Sequence, residues 1–368
     1  MYIFRPNLRT DEIFEELRPV LDSGWVGLGP KVTEFESHLG EYLDNKNVVA
    51  TNSCTSSLHM AVRFLDLKPG TRVLTTALTF VSTNHVLLWE NLIPVFCDVN
   101  PRTGCLDPSS IKQALAKYDN VGAIMVVHLG GYPADMNEIN EIAAENNIAV
   151  IEDCAHALGA TYNGKKLSTG NNMCAWSFQA VKNMPMGDGG AISFPNASLI
   201  EDACAMRWMG IDKSTIARTS GGYKWEYNIP SMGYKYYMND ITAAIGCVQL
   251  RHLDNDNLRR RQIAEIYQQN LPSFCPEYSQ DRESSYHFYP LFFSNRNEVY
   301  QHLVDNEIYP GMHYRMNTRY SMYESCEIIS GLVNSHWYEQ SAITLPIHTM
   351  LTDEDIMKVC DTVKEVAK

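Results

Sequence analysis

The stretch "GAIMVVHLGGYPADMNEINEIAAENNIAVIED" (122–153) decides the fold class. It opens with an apolar run, "GAIMVVH" (122–128), and closes with a second, "IAVIED" (148–153). Neither alternates apolar with polar residues, which is the signature of strands covered on both faces. Between them, "DMNEINEIAAENN" opens on Asp135 and carries Glu138 three residues later, predicting a capping box at a helix start.

The same alternation extends outward in both directions. Further strands are predicted at 47–52, 72–77, 93–98, 174–178 and 190–194. In "CLDPSSIKQALAKY", Asp107 is the expected N-cap and Pro108 the first helical residue. Strands alternating with helices predict an α/β fold with a mostly parallel central sheet sandwiched by helices. In such sheets ligands bind beyond the carboxyl ends of the strands. From residue 239 the pattern changes to one long helix, 239–271, with Ile241, Ala244, Ile245, Val248 and Leu253 as its expected apolar face. A final helix is expected near "TDEDIMKVCDTVKEV", and the stretch 217–233 reads as an extended loop. The expected division is a large α/β domain over 1–245 and a smaller α+β domain over 246–368.

Composition narrows the function classes. The formal net charge of -13 argues against non-specific nucleic-acid binding, which needs basic stripes to neutralise phosphates. It leaves room for an anionic small molecule, because a pocket's local field can oppose the global sign. The ten cysteines form no C-x-x-C pair and sit mostly in apolar runs, so they read as reduced core residues. They supply no metal site. The amino-terminal residues lack the apolar stretch of a signal peptide, and no run reaches the length of a membrane span. A cytoplasmic location is the expectation.

Three stretches carry candidate chemistry. Asp153 ends an apolar strand beside Glu152, and a carboxylate pair there is costly unless something positive meets it. A protonated pyridinium nitrogen would be such a partner; a strand-end carboxylate capping the next turn is the plainer reading. Lys182 lies in a turn-rich loop between two predicted strands, followed by Gly187, Gly189 and Gly190. A lysine held in a partly desolvated pocket becomes neutral and nucleophilic; a solvated loop lysine is the alternative. In "TNSCTSSLHMAVRFL" (51–65) a strand gives way to a helix near Thr55 or Ser56, whose free N–H groups suit a phosphate.

Nine stretches then run in one order over nearly the whole chain. They include "SGWVGLGPKVTEFE" (23–36), "ATNSCTSSLHMAV" (50–62), "TTALTFVSTNHV" (75–86), "VIEDCAHALGA" (150–160), "SFQAVKNMPMGDGGAI" (177–192) and "GYKYYMNDITAAIGCVQL" (233–250). Together they resemble the DegT/StrS sugar aminotransferase family of fold-type I pyridoxal-phosphate enzymes. The resemblance implies pyridoxal 5'-phosphate as cofactor, with Lys182 binding it covalently and Asp153 partnering its ring nitrogen. It further implies Phe80 stacked on the ring face, His156 packed near the ring, and Cys54, Thr55 and Ser177 at the phosphate. Lys235 matches a loop that, in the family, reaches the phosphate of the neighbouring subunit's cofactor, which implies a homodimer. Asp188, Gln179, Lys235 and Tyr237 depart from the commonest family pattern, which bears on the acceptor more than on the cofactor.

The implied reaction moves an amino group from L-glutamate to a keto sugar. "RPNLRTDEI" and "SGWVGLGPKV" have a perosamine-synthase-like look, which points to a nucleotide-linked 4-keto-6-deoxy sugar. Another keto sugar, such as a 3-keto sugar or keto sugar acid, is the alternative acceptor. A non-catalytic cofactor- or sugar-binding regulatory protein is the reading from another class. Family members that act as dehydratases replace the lysine by histidine, and Lys182 speaks against that activity.

Overall fold

The computed structural model describes residues 1–213, 226–329 and 331–368. The loop expected at 217–233 falls partly outside these residues. Eight strands form the large sheet: β1 Val48–Thr51, β2 Arg72–Thr76, β3 Ile93–Cys97, β4 Val121–Val127, β5 Ala149–Asp153, β6 Met173–Ser177, β7 Gly190–Ser193 and β8 Glu327–Ile328. Their spatial order is β1-β7-β6-β5-β4-β2-β3-β8. All neighbours pair in parallel except β7, which runs antiparallel to both β1 and β6. The seven strands expected from the sequence are all in this sheet. The structure adds β8, contributed by the carboxy-terminal part to the sheet's far edge.

Helices cover both faces: α1 Thr10–Ser23, α2 Pro30–Tyr42, α3 Cys54–Phe64, α4 Ser82–Trp89, α5 Pro108–Lys117, α6 Met136–Glu145 and α7 Ile200–Met206. Two apolar clusters explain why the strands lack alternation. Val49, Ala123, Met125, Ile151 and Ala175 pack with Leu58, Ala61 and Val86 of α3 and α4. Their sequence neighbours Ile124, Val126 and Val150 pack on the opposite face with Ile111, Ile139 and Ile142 of α5 and α6. Successive residues of a strand point to opposite faces, so both sets had to be apolar.

The expected N-cap at Asp107 is present, its side chain accepting from the Ser109 amide, with Pro108 in the first turn. The expected capping box at Asp135 is not. Asp135 makes no side-chain cap; its carboxylate lies 2.8 Å from Arg282, and Glu138 pairs instead with Lys112 at 2.6 Å. The Arg282 side chain is only 7% exposed, and it lies between the rings of Tyr132 and Tyr162. A largely buried guanidinium requires a counter-charge more than a helix end requires a cap.

The long helix is α8, Asp240–Asn270, capped by the Asn239 side chain on the Thr242 amide. Ala244, Val248 and Leu253 face inward as expected, whereas Ile241 is 37% exposed. Its neighbour Asp240 takes the inward direction. The Asp240 carboxylate accepts from the amides of Gly29, Lys31 and Val32 at 3.0–3.2 Å, filling the free donors at the start of α2. After α8 come α9 Arg296–Asp305, α10 Val333–Ser341 and α11 Asp353–Lys364, with a short antiparallel pair, Pro290–Phe292 and Ala342–Thr344. Ile263, Leu271, Leu291, Ile343, Ile356 and Val359 form a separate apolar core there. We propose that the two domains divide within α8, which runs unbroken through residues 245 and 246.

Candidate active site

The ends of β1, β5, β6 and β7 meet along one edge of the sheet. Thr51 and Ser177 both pair with Gly190, and Asp153 pairs with Ala175 one strand further in. Because β7 is antiparallel, its first residue lies at the carboxyl edge of its neighbours. A Cβ on Gly190 would come within 2.3–2.5 Å of the backbone of Ser53 and Cys54. Glycine is therefore required for the α3 amino terminus to seat against the sheet.

Above this edge lies a cavity of about 380 Å³, bordered by Cys54, Thr55, Phe80, Asp153, His156, Ser177 and Lys182. Seven of the eight residues singled out in the sequence thus converge on one space. Lys235 does not line it: its ammonium lies 4.6 Å from the Trp208 ring centre and 5.1 Å from that of Tyr237.

The loop that carries Lys182 is tied at several points. Phe178 N–H donates to Gly189, Ala180 N–H to Gly187 and Lys182 N–H to Gln179, all at 2.8–2.9 Å. The amide of Asn183, the next residue, donates to Asn257 and to the Ser285 carbonyl, both at 2.7 Å. Lys182 is deeply enclosed, though part of its surface opens on the cavity. Burial pulls its amine down to about 8, against the opposing pull of Cys54 and Asp153.

Asp153 is 4% exposed. Burial raises its carboxyl above the usual range, and hydrogen bonds from Thr83 and the Ala155 amide, at 2.7 and 3.1 Å, oppose the rise. The Cys54 thiol stands 3.9 Å from the same carboxylate, so Cys54 turns its side chain toward Asp153, and burial keeps that thiol neutral. Glu152, the other member of the carboxylate pair, faces away and is fully answered by His128 at 2.8 Å and Asn172 at 2.7 Å. Asp153 has no cation in contact among the described residues.

At the mouth of α3, Ser53 is the N-cap and accepts from the Ser56 amide. The first N–H groups of the helix, from Cys54 and Thr55, have no partners within it and suit an anion. Phe80 is 56% exposed over the cavity. Its loop is pinned by Asn317, which donates to the Thr79 carbonyl at 2.9 Å and accepts from Asn84 at 2.8 Å.

The sequence reading missed Thr83 and Tyr314. Thr83 lies inside a stretch already singled out, three residues after Phe80 on the next turn, and that spacing was an available signal. Tyr314 lines the cavity and its hydroxyl reaches His156. It arrives from 158 residues away, with no local pattern to mark it.

Residues 7–364 match the DegT/DnrJ/EryC1/StrS aminotransferase family. The chain belongs to this family. It is 30% identical over 380 residues to the spore coat polysaccharide biosynthesis protein SpsC of Bacillus subtilis, covering 99% of this chain and 96% of that protein. The structure of the sugar aminotransferase CalS13 from Micromonospora echinospora superposes with a TM-score of 0.90 at 31% identity, covering 99% of both chains. Spr1654 from Streptococcus pneumoniae, solved in a PLP-form, gives 0.89 at 26% identity over 98% of this chain and 97% of that one. The fold is that of the fold-type I aminotransferases, and the protein is a pyridoxal-phosphate-dependent sugar aminotransferase. This decides against the regulatory, non-catalytic reading.

The site fits that cofactor on three counts. A buried carboxylate without a cation suits a protonated ring nitrogen, a helix mouth with free amides suits a phosphate, and a lysine with a depressed pKa suits an aldehyde carbon. No helix among the described residues is long and apolar enough to cross a membrane.

Proposed function

We propose that this aminotransferase moves the amino group of L-glutamate to a nucleotide-linked 4-keto-6-deoxy sugar, as a cytoplasmic homodimer. The observation that carries the chemistry is the convergence of Lys182 and Asp153 on one cavity, the amine lowered by burial and the carboxylate awaiting a cation. Asp153 would hold the ring nitrogen, the amides of Cys54 and Thr55 the phosphate, and Lys182 the aldehyde carbon. When bound, pyridoxal phosphate supplies an electron sink for charge developing at the substrate carbon.

The chain's own residues do the rest. Its pKa lowered to about 8, Lys182 carries a larger uncharged fraction near neutral pH than an ordinary lysine and can take and return a proton at the substrate carbon. Thr83 orients the Asp153 carboxylate. Phe80 borders one side of the cavity, its ring available to a bound ring face.

Two features support the acceptor. The amino-terminal stretches "RPNLRTDEI" and "SGWVGLGPKV" have a perosamine-synthase-like look, and one relative bears the name of a spore-coat polysaccharide biosynthesis protein. The test is a panel of nucleotide-linked 3-keto and 4-keto sugars and a keto sugar acid, each incubated with L-glutamate and followed by mass spectrometry. Amination of the 4-keto-6-deoxy sugars supports the proposal; amination confined to the 3-keto sugars or the keto acid overturns it.

A further inference from the structure

Helices α2 and α8 meet along an apolar seam, in which Val32, Phe35 and Leu39 pack with Ala243, Cys247 and Leu250. At the rim of that seam, a Glu34 carboxylate oxygen, a His38 ring nitrogen and the Cys247 sulfur all lie within 4.8 Å of one another. None of the three residues borders the cofactor cavity. Glu34 and His38 stand four residues apart on α2, so their side chains share one face. Cys247 comes across from α8 and lies beneath them. It is 1% exposed, whereas His38 is exposed and the Glu34 side chain is 41% exposed.

Carboxylate oxygen, imidazole nitrogen and thiolate sulfur are donors that zinc takes at about 2.0–2.3 Å. Around a tetrahedral ion at those lengths, donor atoms stand roughly 3.4–3.7 Å apart. The three groups need to close by little more than about 1 Å, which rotation of two solvent-facing side chains supplies. Neither His38 nor Cys247 makes a hydrogen bond or ion pair among the described residues. Lys31 engages Oε2 of Glu34 at 2.7 Å and Oε1 of Glu16 at 2.8 Å, leaving Oε1 of Glu34 unpaired among the described residues. Arg251 reaches Glu16 at 3.2 Å, so the two carboxylates and two cations there balance. The thiolate that a metal creates on binding is then the charge that retains it.

We propose that Glu34, His38 and Cys247 form a three-ligand zinc site, its fourth position left to solvent, that ties α2 to α8. Asp240 already joins the two helices at their amino ends by accepting from Gly29, Lys31 and Val32. The ion is a second tie farther along α2. No cysteine pair in the sequence marks it, because its ligands come from two helices distant in the chain.

Calorimetry of the holoenzyme with zinc chloride tests it, comparing the parent with Cys247→Ser and His38→Ala. Cys247→Ser nearly keeps the volume, and His38 is exposed and without a partner, so both variants should fold. The parent should bind one zinc per chain at this site. Each variant should lose about a hundredfold in affinity or more, since even the groups behind metal ligands are worth about 10–100-fold. Burial pushes the Cys247 thiol up to about 12, so binding near neutral pH should release one proton in the parent and none in Cys247→Ser. X-ray absorption at the zinc edge of the loaded parent should show one sulfur among nitrogen and oxygen neighbours. Equal affinity in the parent and both variants overturns the site, as does a zinc shell without sulfur. Binding lost in His38→Ala but kept in full by Cys247→Ser overturns it too, because the sulfur is then no ligand.

Discussion

The Nε2 nitrogen of His156 lies 3.1 Å from the hydroxyl oxygen of Tyr314. On the other side of the ring, Nδ1 accepts the Gly130 amide proton at 3.3 Å. Burial holds the His156 pKa well below its ordinary value, so the ring is neutral. A neutral imidazole that accepts at Nδ1 carries its proton on Nε2. His156 therefore donates to the Tyr314 oxygen, and the phenolic proton must be directed elsewhere. Tyr314 borders the cavity, and burial pushes its pKa upward, so it keeps that proton at working pH.

Tyr314 accordingly keeps its phenolic proton free for another acceptor at the border of the cavity. Tyr314→Phe retains the ring but removes the donor. The expected fall in kcat is about a hundredfold, the cost of deleting one aimed donor in a water-poor site. Thermal stability should change little, because the ring contacts remain. Steady-state kinetics beside a melting curve checks this, and a variant as active as the parent removes Tyr314 from the chemistry.

Lys182 makes a prediction for the protein without cofactor. Its amine is lowered to about 8, whereas an unperturbed lysine titrates near about 10.4. Labelling by an amine-reactive reagent, read residue by residue by mass spectrometry, should show Lys182 half-reactive near pH 8. Surface lysines should reach that point about two pH units later. A Lys182 profile coincident with theirs would contradict the desolvated site. Lys182→Ala should fold normally and lose transamination altogether.

The legible and illegible parts of this molecule differ in the range of the interactions behind them. The β4–α6–β5 unit could be read from residues 122–153 because burial on both faces leaves an unbroken apolar run in the chain itself. The placement of Lys182 on its loop was readable because the two strands and the glycine-rich turn around it are sequence neighbours. Asp135 was misread because its true partner, Arg282, comes from the other end of the chain and is itself nearly buried. Ile241 was misread for a related reason: α2 presents free amides that only Asp240 can fill, and this fixes the rotation of α8 there. Tyr314 was invisible, since its meeting with His156 is made by the packing of the carboxy-terminal part on the large sheet.

Lys235 bears on assembly. Its ammonium lies near the faces of Trp208 and Tyr237, while its carbonyl accepts from Asn52 at 3.1 Å beside the α3 mouth. If the protein is a dimer in which this lysine meets the partner's phosphate, Lys235→Ala should weaken cofactor binding about tenfold through one lost charge-assisted bond. Cofactor should also strengthen dimerisation by mass action. Light scattering with and without cofactor, on parent and variant, separates this from a purely internal role. A fully active monomer refutes the shared site, and unchanged cofactor affinity in the variant releases Lys235 from it.

Asp153 separates stability from function in opposite directions. In the protein without cofactor, burial raises its pKa, so the folded state holds this proton more tightly than the unfolded chain. The stability this contributes is complete below the unfolded value near about 3.9 and is lost as pH rises through the folded one. Above that window the parent carries a buried carboxylate with Thr83, Ala155 and Cys54 around it but no cation in contact. Asp153→Asn has a carbonyl oxygen for the Ala155 amide and no charge to bury. Without cofactor, the variant should melt at or above the parent temperature near pH 7, and the parent should lose the advantage of its proton between acid and neutral pH while the variant does not. With cofactor the order reverses in activity: the variant has no charge to keep the ring nitrogen protonated, so turnover should fall by orders of magnitude. Melting curves from pH 4 to 8 on both cofactor-free proteins, set beside turnover of the loaded ones, check both halves. A variant that melts well below the parent yet keeps its turnover would show Asp153 to be a structural cap and not the partner of the ring.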